Sequence, residues 1–302
     1  MMPDIFPAWI ALDWGTSNLR AWAMDDDNGV LAETESPDGM GTLAPEAFEP
    51  ALLKAISGWL GAGRRVPVIA CGMVGARQGW IEAPYISVPV TPGGDSFTLA
   101  PTTDPRIAVM IIAGLSQAEP ADVMRGEETQ VAGFAAENGG DGVLCLPGTH
   151  SKWVRLDKGV ITRFNTMMTG EVFAMLTTHS VLRHSVAGEG WDEAAFARGV
   201  SESLANPTLL AQLFSIRAEQ LLTGQTAVAA KSRLSGLLIG AEVAGTRDYW
   251  QGRTTVLIGA SRLVRLYETA LDMAGGQSQI ADGGSLTLSG LVSAYERWKV
   301  TA

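Results

Sequence analysis

Two cysteines, Cys71 and Cys145, are all that 302 residues contain. They form no CxxC pair, so no disulfide framework is available, and reduced thiols in the cytoplasm are expected. Histidine is nearly as scarce. His150, His179 and His184 have no spacing that suits a zinc site and suggest no Ser-His-Asp arrangement. Positive charge is in deficit, with 22 Lys and Arg against 32 Asp and Glu, a net charge of -10 and a pI near 4.8. That excludes the basic stripe a nucleic-acid surface needs. The longest apolar runs, such as "IAVMIIAGL", fall far short of a membrane span, and "MMPDIFPAWIAL" has neither a positive n-region nor a small-residue cleavage site. No GxxxxGK[ST] occurs, and no strand leads into "GMGTLA" at 39–44, so neither a P-loop nor a dinucleotide fingerprint is read. The expectation is a cytoplasmic protein with no nucleic-acid or membrane partner. An anionic ligand would have to be met locally, by backbone amides, a few basic side chains or a metal.

What is present is a globular composition, 46% hydrophobic, with 35 glycines for turns and close backbone approaches. The length suits one large α/β domain or two of about 150 residues. Strands are expected at "WIALDW", "LRAWAMD", "GVLAETES", "VPVIACGM" and "RIAVMII". Phe48, Leu52, Ile56 and Leu60 recur at helical spacing, with Gly61 as a stop. The second half turns helical. Asn206 caps and Pro207 opens a helix striped by Leu209, Leu213 and Ile216, and further helices cover 226–245, 261–276 from a Ser261 cap, and about 285–298.

The stretch "WIALDWGTSNLRAWAMD" ends a strand on Asp13 and turns through Gly15, Thr16 and Ser17 before the next strand. A plain hairpin needs neither the acid nor the hydroxyls. Residues 143–164, "VLCLPGTHSKWVRLDKGVITRF", repeat the pattern of strand, Gly-Thr turn, strand, glycine turn and strand. The economical architecture is therefore two related α/β domains, each on a mixed sheet. Turns rich in amides and hydroxyls form anion sites, two of them can grip a polyphosphate, and Mg²⁺ escorting a nucleotide is commonly held by one or two carboxylates such as Asp13. In "DVMRGEETQVAGF", Glu127 and Glu128 open an apolar helix. Either complements the helix dipole or serves as a carboxylate that deprotonates an attacking hydroxyl.

"ALDWGTSNLRAW" and "LPGTHSKWV" resemble the two phosphate motifs of the sugar kinase, heat-shock chaperone and actin superfamily. Together with "ACGMVGARQGWIEAPY", "MRGEETQ", "MMTGEVFAML" and "SGLLIGAE", in that order along the chain, they resemble the 2-dehydro-3-deoxygalactonokinase family. The resemblance implies an α/β fold of two ribonuclease-H-like domains with a nucleotide cleft between them, divided here as 1–138 and 139–302. It also implies transfer from ATP, with Mg²⁺, to the 6-hydroxyl of 2-dehydro-3-deoxy-D-galactonate in galactonate catabolism. ATP and the sugar acid are then the partners, and a homo-oligomer is possible.

Carried onto this chain, the resemblance gives Asp13 to Mg²⁺. Gly15, Thr16, Ser17, Gly148, Thr149 and His150 go to the phosphates, and Gly259 and Ala260 to adenosine, where the superfamily's usual double glycine has become Gly-Ala. The base is Glu127 or Glu128. An anionic sugar acid calls for a guanidinium able to take its carboxylate, and Arg20, Arg77 and Arg125 are the candidates. Met73 and Gly75 lie in the sugar-facing loop, Trp80 and Tyr85 are its walls, and Thr169, with Glu171, reaches the substrate.

Overall fold

The computed structural model describes residues 5–93, 96–206 and 208–301. In chain order run β1 (Trp9–Trp14), β2 (Leu19–Met24), β3 (Val30–Ser36), α1 (Phe48–Ile56), β4 (Val66–Gly72), β5 (Tyr85–Ser87), β6 (Phe97–Leu99), β7 (Ile107–Ile112), β8 (Gly114–Gln117), β9 (Asp122–Met124) and α2 (Glu127–Asn138). Then come β10 (Gly142–Leu146), β11 (Ser151–Asp157), β12 (Val160–Met167), α3 (Thr169–Thr178), α4 (Glu193–Ala205), α5 (Leu209–Thr223), α6 (Ala227–Gly245), α7 (Arg247–Trp250), β13 (Thr254–Ile258), α8 (Ser261–Met273), β14 (Gln277–Ala281) and α9 (Gly283–Thr301). The chain divides into two compact units. One comprises Met1–Asp141, Leu156–Arg163 and Gly283–Ala302, the other Gly142–Arg155 and Phe164–Asp282.

In the first unit a six-stranded sheet runs β3-β2-β1-β4-β7-β6, and a small sheet runs β5-β8-β9. β1 pairs antiparallel with β2 and parallel with β4. Period-two alternation sends Ile10, Leu12 and Trp14 to one face, among Phe48, Leu52 and Ile56 of α1, and Trp9 and Ala11 to the other. α9 covers that second face with Leu291, Ala294 and Tyr295, and Trp9 stacks on Tyr295 with ring centroids 4.2 Å apart.

The division at 138/139 therefore needs correcting, because it assigns the last helix to the second domain. α9 is in the first unit: without its apolar stripe, Trp9, Trp22 and Ile69 would be left uncovered. Its approach to α2 depends on Gly133 and Gly290, where a side chain would strike the opposite helix's backbone.

In the second unit the sheet order is β12-β11-β10-β13-β14, with β13 parallel to both β10 and β14. Counting main strands within each unit, both sheets read 3-2-1-4-5, so the repeat seen in the sequence is a repeat of topology, and the fold is two ribonuclease-H-like α/β units. α6 is buried almost all round and shows no single apolar stripe. Two local expectations fail. Asn206 ends α4 and is not a cap for α5, which starts after Thr208, and Pro207 lies outside the described residues. Ser261 is already helical, with Ala260 preceding it.

Candidate active site

In the first unit the site grows from the ends of β1 and β4. Strand register sets Asp13 beside Arg20 on β2 and beside Cys71 on β4, whose thiol donates to Asp13 Oδ1 at 3.7 Å. Burial pushes the Asp13 carboxyl up, against the lowering effects of Arg20 and the Cys71 thiol. After Asp13 the chain turns tightly, the Gly15 amide donating to the Asn18 carbonyl at 2.9 Å. Thr16 and Ser17 are exposed at the tip. The backbones of Met40 and Gly41 brace this turn by donating to the carbonyls of Gly15 and Thr16.

β4 leaves the sheet through Gly72 (φ +91°), and α2 is entered through Gly126 (φ +104°). A Cβ on Gly72 would lie 2.7 Å from the Trp14 carbonyl oxygen, and one on Gly126 would lie 3.3 Å from the Gly72 Cα. Only glycine combines that left-handed backbone with so close an approach. The paired turns bring the α2 N-terminus to the Asp13 edge of the sheet. Glu128, 1% exposed, accepts the Gly126 amide at 2.6 Å and the Thr129 hydroxyl at 3.2 Å. Burial first, and the charge of Glu127 second, push Glu128 up to about 8. Glu127 is only half-buried and accepts the Arg125 amide at 3.2 Å. Burial and then the charges of Asp13 and Glu128 push the Cys71 thiol well up, so it stays protonated and inert between them.

The three arginine candidates separate clearly. Arg77 is exposed, while Arg20 stands beside Asp13 and lies 5.4 Å over the Trp22 ring. Arg125 is 8% exposed, donates from Nη2 to the Ala83 carbonyl at 2.7 Å and lies 4.4 Å over the Tyr85 ring. Its Nε and Nη1 are buried without a hydrogen-bond partner among the described residues. Gly75, on the 3₁₀ turn Met73–Gly75, leaves room for this guanidinium, since a Cβ there would lie 2.8 Å from Nη1. Tyr85 is 41% exposed. Trp80 is not a wall. It is 8% exposed in the core, 6.2 Å from both Phe48 and Trp14, because an aromatic ring in a glycine-rich loop is a large apolar surface to bury before it is a contact for a ligand.

In the second unit the Gly148-Thr149-His150 turn follows β10 and rests on the start of α3. The Glu171 amide donates to the Thr149 carbonyl at 3.0 Å, and Gly170 lies so close that a side chain would strike the Gly148 carbonyl. His150 Nε2 meets Glu171 Oε2 at 2.5 Å. Gly259 comes against the same turn, a Cβ there lying 3.1 Å from the Pro147 carbonyl oxygen. Beside the turn is a cavity of about 500 Å³. Gly148, Thr169 and Ala260 line it together with Phe173, Trp191 and Lys231, and Arg262 lies 5.4 Å over the Trp191 ring. An apolar cavity opening at a Gly-Thr turn suits a nucleoside whose phosphates meet the turn.

Thr169 starts α3 and hydrogen-bonds to Glu242, a buried carboxylate that also accepts Trp153 Nε1 at 2.8 Å and the Tyr267 hydroxyl at 2.7 Å. Sequence reasoning missed Cys71, Trp191, Lys231 and Glu242 as parts of these sites. Only Glu242 carried a signal, as the one acid within the apolar helix "SGLLIGAE".

Comparison with known proteins identifies the family of the chain. A family model described as 2-keto-3-deoxy-galactonokinase matches residues 13–294. The chain is 42% identical to the probable 2-dehydro-3-deoxygalactonokinase DgoK1 of Rhizobium meliloti (strain 1021), covering 95% of this chain and 96% of that one. It is 36% identical to the 2-dehydro-3-deoxygalactonokinase of Escherichia coli (strain K12), covering 94% and 96%. Among solved structures, a putative 2-dehydro-3-deoxygalactonokinase from Sinorhizobium meliloti superposes with a TM-score of 0.87 at 42% identity, covering 95% of this chain and 98% of that one. With a family model spanning nearly the whole chain and relatives above 30% identity over its length, the chain belongs to the 2-keto-3-deoxy-galactonokinase family.

Proposed function

We propose that this protein is a cytoplasmic kinase that transfers the γ-phosphoryl group of ATP to the 6-hydroxyl of 2-dehydro-3-deoxy-D-galactonate. Family membership supports the reaction, and Arg125 supports the acceptor. A guanidinium buried with two unpartnered donor nitrogens is costly unless something anionic completes it. The substrate's carboxylate is a planar anion of the kind a guanidinium recognises, and Arg125 is the buried guanidinium beside Tyr85 and Gly75. Tyr85 and the loop around Gly75 then form the rest of the sugar acid's surroundings.

Glu127 is the base. Burial pushes the Glu128 carboxyl up to about 8, which favours its protonated form at neutral pH. Glu127 is half-buried and accepts the Arg125 amide at 3.2 Å. The 6-hydroxyl proton passes to Glu127, the oxygen bonds to the γ-phosphorus, and the bond to the ADP oxygen breaks. The Gly15-Thr16-Ser17 turn is the phosphate site of the first unit, and the Gly148-Thr149-His150 turn is that of the second. The second unit's cavity takes the nucleoside against Gly259 and Ala260.

Asp13 would hold Mg²⁺. No group of three His, Cys, Asp or Glu side chains able to hold a metal occurs among the described residues. One carboxylate beside a phosphate turn nevertheless suits an ion that keeps its waters and binds chiefly to the nucleotide. When bound, Mg²⁺ neutralises phosphate charge and shapes ATP for in-line attack. No helix among the described residues is long and apolar enough to cross a membrane.

Replacement of Arg125 tests the reading. Arg125→Met should lower kcat/KM for the sugar acid by about 100-fold or more, mainly through KM, and leave ATP affinity unchanged. An unchanged KM for the sugar acid would remove Arg125 from the site.

A further inference from the structure

Glu242 is a carboxylate buried inside the second unit. It is 4% exposed on α6, and donors from three other elements, β11, α3 and α8, converge on it. Trp153 Nε1 donates to Oε1 at 2.8 Å and the Tyr267 hydroxyl to Oε2 at 2.7 Å, while the hydroxyls of Thr169 and Ser151 also hydrogen-bond to the acid. Ser151 Oγ lies 2.8 Å from the Tyr267 oxygen, which joins those two hydroxyls to each other as well. A buried carboxylate is costly, and a well-packed apolar side chain of similar volume often serves the core as well. What this acid adds is seen in where its donors sit.

Two of the four flank the Gly148-Thr149-His150 turn. Ser151 is the residue after the turn and the first of β11. Thr169 is the first residue of α3, the helix on which the turn rests through the Glu171 amide and the close approach of Gly170 to the Gly148 carbonyl. One carboxylate therefore holds the turn from its exit strand and from its supporting helix together. Thr169 and Tyr267 also line the cavity beside the turn, so the same acid fixes part of that wall. A turn whose amides are held in place binds phosphate without first having to be ordered, whereas an apolar cavity takes a nucleoside largely by burial.

We propose that Glu242 is a positioning residue for the nucleotide's phosphates: through Ser151 and Thr169 it fixes the Gly148-Thr149-His150 turn. The inference rests on the reading of that turn as a phosphate site, and the experiment separates the two.

Affinities of the full-length protein for ATP with Mg²⁺ and for adenosine, measured by calorimetry without the sugar acid, distinguish the phosphates from the nucleoside. The wild-type protein should bind ATP much more tightly than adenosine. Thr169→Val keeps the shape of the side chain and removes the hydroxyl, and Glu242→Gln keeps the volume and removes the charge. Each should weaken ATP by about 10-fold or more and adenosine far less. Thr169→Ser, which retains the hydroxyl, should restore ATP binding. Trp153→Phe removes another hydrogen bond to the same acid, from a residue that belongs neither to the turn nor to α3. It should lower the melting temperature and keep the ratio of the two affinities. A wild-type protein that binds ATP no better than adenosine would remove the phosphate reading of the turn, and the proposal with it. A wild-type preference for ATP that survives both Thr169→Val and Glu242→Gln, or that is lost equally in Trp153→Phe, would leave that reading standing and overturn the role of Glu242 alone.

Discussion

Glu128→Gln separates a carboxyl that titrates from an isosteric group that does not. Glu128 is 1% exposed, and burial with the neighbouring Glu127 raises it from an ordinary 4.5 to about 8. A carboxyl raised in the fold contributes stability that is fully present below its unfolded value and is lost as pH climbs towards its folded value. Below pH 4.5 both states are protonated. Above it the unfolded chain ionises while the folded protein keeps the proton, and stability falls by about 1.4 kcal/mol per pH unit until Glu128 itself ionises. Across the window from pH 4.5 to 8 the loss assigned to this one group is on the order of 3–5 kcal/mol. Urea unfolding of both proteins at several pH values between 5 and 8.5 measures it. The wild-type curve should fall relative to that of Glu128→Gln by several kcal/mol, and the variant should be the more stable protein at pH 8.5. Parallel curves would mean that Glu128 is ionised at neutral pH, which would undo the assignment of the base to Glu127.

Two further perturbations test the remaining assignments. Glu127→Gln should lower kcat by about 10² to 10⁴ fold with ATP affinity retained, whereas near-normal turnover would leave the reaction without this base. Trp80→Ala should cost about 3–5 kcal/mol of stability, as removal of a core aromatic does. A stable Trp80→Ala protein with a raised KM for the sugar acid would return that residue to the substrate.

Much of the fold could be read from the order of residues. Asp13 closing an apolar strand before Gly-Thr-Ser, and the same pattern at Gly148-Thr149, announced two related sheets, and with the edge strand β6 of the first set aside both run 3-2-1-4-5. What was not legible follows from non-local packing. α9 comes last in the chain yet completes the first unit, because the face bearing Trp9 and Trp22 has its partners more than 250 residues away. Trp80 reads like a loop aromatic until Phe48 and Trp14 close on it. Glu127 and Glu128 are adjacent and chemically identical in the sequence. Only the helix entry through Gly126 turns one inward and leaves the other half-exposed. The second unit's cavity draws Gly148, Trp191, Lys231 and Ala260 from four separate segments, so no single stretch announces it.

The central claim is phosphoryl transfer to one sugar acid, and coupled ADP release with Mg-ATP tests it most directly. 2-Dehydro-3-deoxy-galactonate, its gluconate epimer and a no-sugar control should be compared on the same purified protein. The account predicts strong release with the galactonate compound and little with the control. Release only with the epimer, or none above the control, would contradict it.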